Sequence, residues 1–345
     1  MRGLLLALLL TATPALALDS AAVTRTGPTA LAVSWAAKGP VDVYVSDTPD
    51  ASPKTATLVS KADADGRHMV EAGVRDRRYI LLHDRTTGET RRVAERLVPL
   101  EQGSNFRDIG GYPAAGGKHV RWGRLYRSGG QPLLTEADVA EIQSLGLKSM
   151  VDLRSMEERQ LAPSRVTGVP YTAIGYSMRA LMPTSQTAMQ NGGNVYRNFP
   201  TLLAPHLELV VDRLLAEDAP LAYNCSAGQD RTGFVTAMLL SALGVPRDVI
   251  LADYHLSTDL RRPEFEMAKI TPEAAAADPV AAMFARYQTP AAAKPTPLKD
   301  AQGRAFLDAA FDEIETRYGS VDAYLEKTAG ITPATRALLR AKYLE

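Results

Sequence analysis

A thiol and a guanidinium stand at the two ends of one short loop. Cys225 and Arg231 are separated by five residues in the stretch Asn224-Cys225-Ser226-Ala227-Gly228-Gln229-Asp230-Arg231-Thr232-Gly233. Only the thiolate form of a cysteine is a strong nucleophile, and helix N-termini and neighbouring cations favour that form. Cys225 is therefore a candidate for in-line attack on phosphorus, giving a phosphocysteine that water hydrolyses. Arg231 offers a planar fork to two equatorial oxygens, which the point charge of a lysine does not reproduce. The backbone N–H groups of Ser226, Ala227, Gly228, Gln229, Asp230 and Arg231 are placed to hold the remaining charge. The hydroxyl of Thr232 is expected to donate to the Cys225 sulfur and help it leave. The competing reading of a free cysteine is a small buried apolar residue, but few such residues sit in a Ser-Ala-Gly loop that closes on arginine.

Position follows from the flanking elements. Before the loop lies Ala219-Pro220-Leu221-Ala222-Tyr223, an apolar run of strand length. After it, Phe234 to Leu243 carries a helical pattern closed by Gly244 and Pro246. Strand, small-residue loop and helix N-terminus together collect N–H groups around one point, and that point attracts an oxyanion. A second strand, Lys148 to Leu153, follows a helix that starts at Thr135 in a capping-box pattern with Asp138 and stops at Gly146. It delivers Asp152 and Arg154 to a strand tip. Helix, glycine, strand, polar tip is α/β architecture, with sites expected at the carboxyl ends of the strands.

Three upstream stretches accompany the loop in order: Asn105-Phe106-Arg107-Asp108-Ile109-Gly110-Gly111-Tyr112, Leu125-Tyr126-Arg127-Ser128 and Val151-Asp152-Leu153-Arg154-Ser155. With Cys-x5-Arg-Thr they resemble the bacterial cysteine-dependent tyrosine and dual-specificity phosphatases related to the secreted mycobacterial PtpB, over roughly residues 100 to 345. The resemblance implies a cysteine-phosphatase fold, a central mainly parallel sheet flanked by helices, and a metal-independent phosphomonoester hydrolase with no cofactor. It makes Asp230, inside the loop, a candidate general acid for the leaving oxygen, with Asp152 at the neighbouring strand tip as the other candidate. Residues 176 to 200, with Met178, Met182, Met189 and Tyr196, read as a flexible loop or as a cover, and in the family the equivalent region lies over the active site. Two positions depart from the family: Asn224 replaces the usual histidine before the nucleophile, and Gln229 replaces a lysine often found in the loop. The second change removes a cation suited to inositol phospholipids.

Charge is balanced, with 39 Lys+Arg against 39 Asp+Glu in 345 residues, so no net field argues for nucleic acid or an anionic membrane. Phosphate affinity must be local. The substrate class is then a phosphorylated protein or a small phosphomonoester. At the N-terminus, Met1-Arg2, the apolar run Leu4 to Leu10 and Ala15-Leu16-Ala17 form a signal-peptide pattern over residues 1–17, too short an apolar run for a stable span. An exported chain, periplasmic or secreted, with a single cysteine keeps that thiol for chemistry.

Residues 18–99 alternate apolar and polar at Leu31–Trp35, Val41–Ser46 and Arg78–Leu82, with turn signals between. A small all-β sandwich similar to a fibronectin type III domain is expected there, ahead of the α/β domain at 100–345, and it serves as a spacer or docks a partner or surface. Gly116-Gly117-Lys118-His119 is not a nucleotide loop, because the upstream glycine and the Ser/Thr after lysine are missing. Thr271 to Pro297, rich in alanine and proline, reads as a surface excursion. Alternative functions are an inositol-polyphosphate or phosphoinositide phosphatase, which shares the loop chemistry, a sulfurtransferase with its own cysteine cradle, and a non-catalytic phosphate-binding module.

Overall fold

The computed structural model describes residues 18, 20–181, 192–289 and 294–345, so the signal-peptide reading at 1–17 and the positions Met182 and Met189 lie outside the described residues. The chain divides into two compact units, Met1–Glu95 and Arg96–Glu345.

The first unit is built of strands β1 (Ala22–Arg25), β2 (Ala30–Ser34), β3 (Val41–Ser46), β4 (Thr57–Asp63), β5 (Arg67–Glu71), β6 (Tyr79–Asp84) and β7 (Thr90–Ala94). They pair antiparallel into a three-stranded sheet, β1-β2-β5, and a four-stranded sheet, β4-β3-β6-β7. Alternation along β2 sends Leu31 and Val33 inward, and along β3 it sends Val41 and Val43; these meet Trp35, Val70, Ile80, Leu82 and Val93 in one core. β1 and β4 have no buried residue, which is why neither is visible as an apolar alternation.

The second unit carries β8 (Arg107–Asp108), β9 (Leu125–Ser128), β10 (Ser149–Asp152), β11 (Tyr171–Ala173) and β12 (Leu221–Asn224). Its helices are α1 (Glu136–Ser144), α2 (Met156–Leu161), α3 (Met178–Leu181), α4 (Gly192–Leu202), α5 (Ala204–Leu215) and α6 (Asp230–Leu243). They continue with α7 (Arg247–Leu260), α8 (Pro272–Ala277), α9 (Pro279–Tyr287), α10 (Asp308–Tyr318), α11 (Val321–Ala329) and α12 (Pro333–Tyr343). The sheet order is β11-β10-β12-β9-β8, with parallel pairing except for β8 against β9. Successive side chains leave opposite faces of a strand. Leu125, Val151, Leu221 and Tyr223 accordingly join the large core formed with α5, α6, α7 and α10 to α12, while Tyr126, Met150 and Ala222 join a smaller core with Ile142 of α1. Burial on both faces explains why β10 and β12 read as short buried runs.

Register then sets the site. Asp152 pairs with Asn224, and Asn224 with Ser128, so the carboxyl ends of β10, β12 and β9 form one row. The loop after β12 leaves the middle of that row.

Within Thr271 to Pro297, the expected surface excursion is helical: it forms α8, with no buried residue, and α9. Each helix takes its proline at the first turn and is capped by Thr271 or Asp278, and α9 buries Val280 and Ala281.

Candidate active site

Loop and helix are shaped from outside. Gly130 N–H donates to the Ser226 carbonyl at 2.8 Å. The Asn105 amide donates to the carbonyls of Ala227 and Gly228 at 3.1 and 2.9 Å, and Arg127 adds a bond to Gly228 O at 2.8 Å. A trans peptide sends C=O and N–H in opposite directions, so with these carbonyls tied outward the following N–H groups turn to the inside of the loop. Gly228 makes the tight turn at φ +65°; a Cβ there would lie 2.5 Å from the backbone of Ser128 and Gly129. α6 opens at Asp230 with no side-chain cap on its first amides, which leaves them for an anion. Cys225 lies on the floor of the loop, 1% exposed.

Arg231, at the first turn of α6, is held by Glu158. Its two terminal nitrogens reach Glu158 Oε2 and Oε1 at 2.7 and 2.6 Å, and the nitrogen facing Oε2 also donates to the Tyr176 hydroxyl at 2.6 Å. Ser226 Oγ donates to Glu158 Oε1 at 2.6 Å, and Ser155 N–H donates to Oε2 at 2.9 Å. Burial alone would raise the Glu158 carboxyl, but Arg231, Ser226 and Ser155 outweigh it and hold its pKa at about 2. Burial opposes the Arg231 charge too, yet Glu158, Tyr176 and Cys225 keep the guanidinium firmly protonated. His206 stands edge-on to Tyr176, with ring centroids 5.7 Å apart. Burial lowers its pKa to about 4, so it is a neutral imidazole near neutral pH.

Beneath the loop, one carboxylate serves two guanidinium groups. Asp253 of α7 accepts from Arg107 Nε at 3.0 Å and from Arg127 Nη1, and Tyr112 adds its hydroxyl at 2.9 Å. Burial pushes the Asp253 carboxyl up, and Arg107 and Arg127 bring it well below the usual carboxylate range. Arg127 reaches from this cluster to Gly228 O, which sets a positive guanidinium against the loop. A positive group there favours an anion in the loop above.

The sequence-predicted residues do not all converge. Asp230 sits at the helix start beside Gln229, whose amide donates to its Oδ1 at 3.1 Å, and Tyr196 donates to the same oxygen. Asp152 is fully buried and occupied by Arg154, whose Nε and Nη2 reach it at 2.9 and 2.7 Å, and by the Tyr171 hydroxyl. Thr232 is buried, and its Oγ1 makes no hydrogen bond among the described residues, so the expected bond to the cysteine sulfur is not formed. Asn224 is buried and directs its amide weakly, at 3.4 Å, to the Cys225 carbonyl.

A family model of tyrosine phosphatases matches residues 98–345. The chain belongs to the tyrosine phosphatase family. It is similar to a protein of Cupriavidus necator named as a tyrosine-protein phosphatase, at 34% identity over 70% of this chain and 86% of that one. It is also similar to the triple-specificity protein phosphatase PtpB of Mycobacterium tuberculosis, at 31% identity over 70% of this chain and 96% of that one. Its activity is that of a protein tyrosine phosphatase.

Sequence reasoning missed Glu158; it quoted Asn105 and Arg127 only within the motifs of the resemblance and placed Tyr176 and Tyr196 in the stretch read as loop or cover, giving none of the four a role in the site. One signal for Glu158 was present: it stands three residues after Ser155 and closes a capping box on α2, which fixes its carboxylate at the strand tip next to the loop.

Proposed function

We propose that the chain hydrolyses phosphotyrosine, and more broadly phosphomonoesters of proteins, through a phosphocysteine on Cys225 without a metal ion. The orientation of the loop carries this reading: outward-tied carbonyls, inward amides and a pinned Arg231 fork make a preorganised cradle for a tetrahedral dianion. Cys225 Sγ attacks phosphorus as the ester oxygen departs. Arg231 and the loop amides hold the three equatorial oxygens, and Asp230 gives the leaving oxygen its proton. Water then attacks the phosphocysteine, with Asp230 taking the proton back and thiolate leaving. Asp230 is preferred to Asp152 as the acid because both Asp152 oxygens are already engaged by Arg154 and Tyr171.

Multiply phosphorylated substrates, including inositol phosphates, are a second reading. Gln229 takes the place of a loop lysine, and its Oε1 accepts from Arg261 at 3.1 Å, a guanidinium on that side of the loop whose charge Glu266 pairs. We further propose that residues 1–17 direct export, on the strength of their charged start, apolar run and A-x-A site. The first unit is read as fibronectin type III-like, a reading supported by its three- and four-stranded antiparallel sheets, and as a module that docks the enzyme to a partner or surface.

The test is a panel of phosphotyrosine, phosphoserine, phosphoinositide and phytate substrates on wild type and Cys225→Ser. Hydrolysis is expected to resist EDTA, to be inhibited by vanadate and to vanish in the serine variant, with a phosphocysteine trapped on acid quench. Activity abolished by chelator, or retained by Cys225→Ser, overturns the mechanism.

A further inference from the structure

Among the described residues, Asp230 is held on one oxygen, Oδ1. Tyr196 of α4 donates its phenol to Oδ1, and the Gln229 amide donates to the same atom at 3.1 Å. Behind Tyr196 stands Tyr254 of α7, with hydroxyl oxygens 2.6 Å apart and rings at 89°. Since the Tyr196 proton points to the carboxylate, the Tyr254 proton points to Tyr196, and the three groups form a directed chain. Both phenols are buried, at 4% and 1% exposure. Tyr196 is wedged against Phe199 and Phe306, with centroids 4.8 and 6.3 Å away. Gln229 is fixed from its other end by Arg261, itself clamped to Glu266 at 2.9 and 2.7 Å.

We propose that Tyr196, backed by Tyr254, is the positioning residue of the acid: it saturates Asp230 Oδ1 and thereby makes Oδ2 the oxygen that carries the proton to the leaving group. This rests on the reading of Asp230 as general acid. A carboxyl with both oxygens free could turn its proton away from the substrate. One whose Oδ1 already accepts two donors keeps its proton on Oδ2, toward the reacting group. When Asp230 gives up that proton, the same two donors stabilise the carboxylate left behind. The other charged groups acting here are Arg261, which faces Asp230, and Arg127 and Asp308, which act on Tyr254.

The experiment compares full-length wild type, Tyr196→Phe, Tyr254→Phe, Asp230→Asn and the double variant Asp230→Asn/Tyr196→Phe. Each is assayed with p-nitrophenyl phosphate, whose leaving group needs little protonation, and phenyl phosphate, whose leaving group needs it. Asp230→Asn is expected to lower kcat on phenyl phosphate by about 10²-fold or more, with a much smaller loss on p-nitrophenyl phosphate. Tyr196→Phe should show the same split at roughly 10-fold, and Tyr254→Phe a weaker version of it. In the double variant the Tyr196 effect should disappear, because its only route is through Asp230. Equal losses on both substrates, or an additive loss in the double variant, mark Tyr196 as packing alone and overturn the inference. If Asp230→Asn splits the substrates and Tyr196→Phe does not, only the positioning role falls. If Asp230→Asn shows no split, the acid assignment falls and the inference falls with it. Tyr254→Phe, which leaves the Tyr196–Asp230 contact in place, carries the test should Tyr196→Phe misfold.

Discussion

Glu158 holds Arg231 by both terminal nitrogens, at 2.7 and 2.6 Å, across 73 residues of sequence. Its two oxygens also accept from Ser155 N–H and Ser226 Oγ, so each has two donors. The pair fixes the direction of the phosphate fork before any substrate arrives, and its consequences are both thermodynamic and catalytic.

Its thermodynamic signature depends on pH. The Glu158 pKa is depressed from 4.5 to about 2. Its contribution is therefore complete above the unfolded value and is lost as pH falls from about 4.5 toward 2. A depression of that size corresponds to roughly 3 kcal/mol. Glu158→Gln should be less stable than wild type at pH 7 by that order, and the gap should narrow at pH 3. Urea midpoints followed through Trp122, with Trp35 replaced by Phe, would measure it. A gap that does not change with pH would show that the pair contributes little. Activity should fall at least 10-fold at pH 7, because an unpinned fork no longer meets two oxygens at once.

Asn105 reaches 123 residues along the chain to Gly228 and adopts φ +59° to do so. Asn105→Gly keeps that backbone freedom and deletes the amide. The Ala227 carbonyl then loses its donor, while Gly228 O keeps Arg127. The loop peptide planes should loosen at a cost of about 1–3 kcal/mol. Vanadate affinity is expected to fall about 10- to 100-fold with a smaller change in Tm. A drop in Tm with unchanged vanadate affinity would place Asn105 in the scaffold only.

The Cys225–Arg231 loop is legible in the sequence because its parts are local: a strand, a five-residue spacer that opens Ser-Ala-Gly, and a helix start. The rest of the site is written in register. Glu158, Asn105, Arg127 and Tyr196 come to the loop because β10, β12 and β9 end in one row and because α4 and α7 pack beside α6, and no local pattern encodes that. Asp152 shows the reverse error. A polar residue at a strand tip has the right address for chemistry, yet Arg154, two residues on, turns back onto it. In the first unit, β2 and β3 are readable from alternation, whereas β1 and β4 carry no buried residue to betray them. α8 and α9 hide behind their prolines, which a composition argument takes as breakers and a position argument takes as first-turn residues.

Gly228→Ala tests the turn itself. Positive φ and a Cβ 2.5 Å from the Ser128–Gly129 backbone leave no seat for a methyl group. The loop must shift away from β9, carrying the amides with it. Turnover of p-nitrophenyl phosphate is expected to drop by about 10³-fold while far-UV circular dichroism stays native. Near-wild-type turnover would mean that the cradle is not formed by this backbone.

Asp253→Asn tests the charge beneath the loop. Asp253 is fully buried and is the carboxylate shared by Arg107 and Arg127. An amide of the same shape keeps the packing but leaves two buried guanidinium groups facing each other without compensation. The loss should be about 3–5 kcal/mol, larger than for any loop variant here. Arg127→Met in the Asp253→Asn background removes one of the two charges and should restore part of that stability, because the penalty comes from uncompensated charge. It should not restore turnover, since the Arg127 bond to Gly228 O is gone. Thermal melts of the four combinations decide it: a rescue of stability without activity separates the electrostatic role of Asp253 from the loop-shaping role of Arg127, and additive losses would show that the two residues are not coupled.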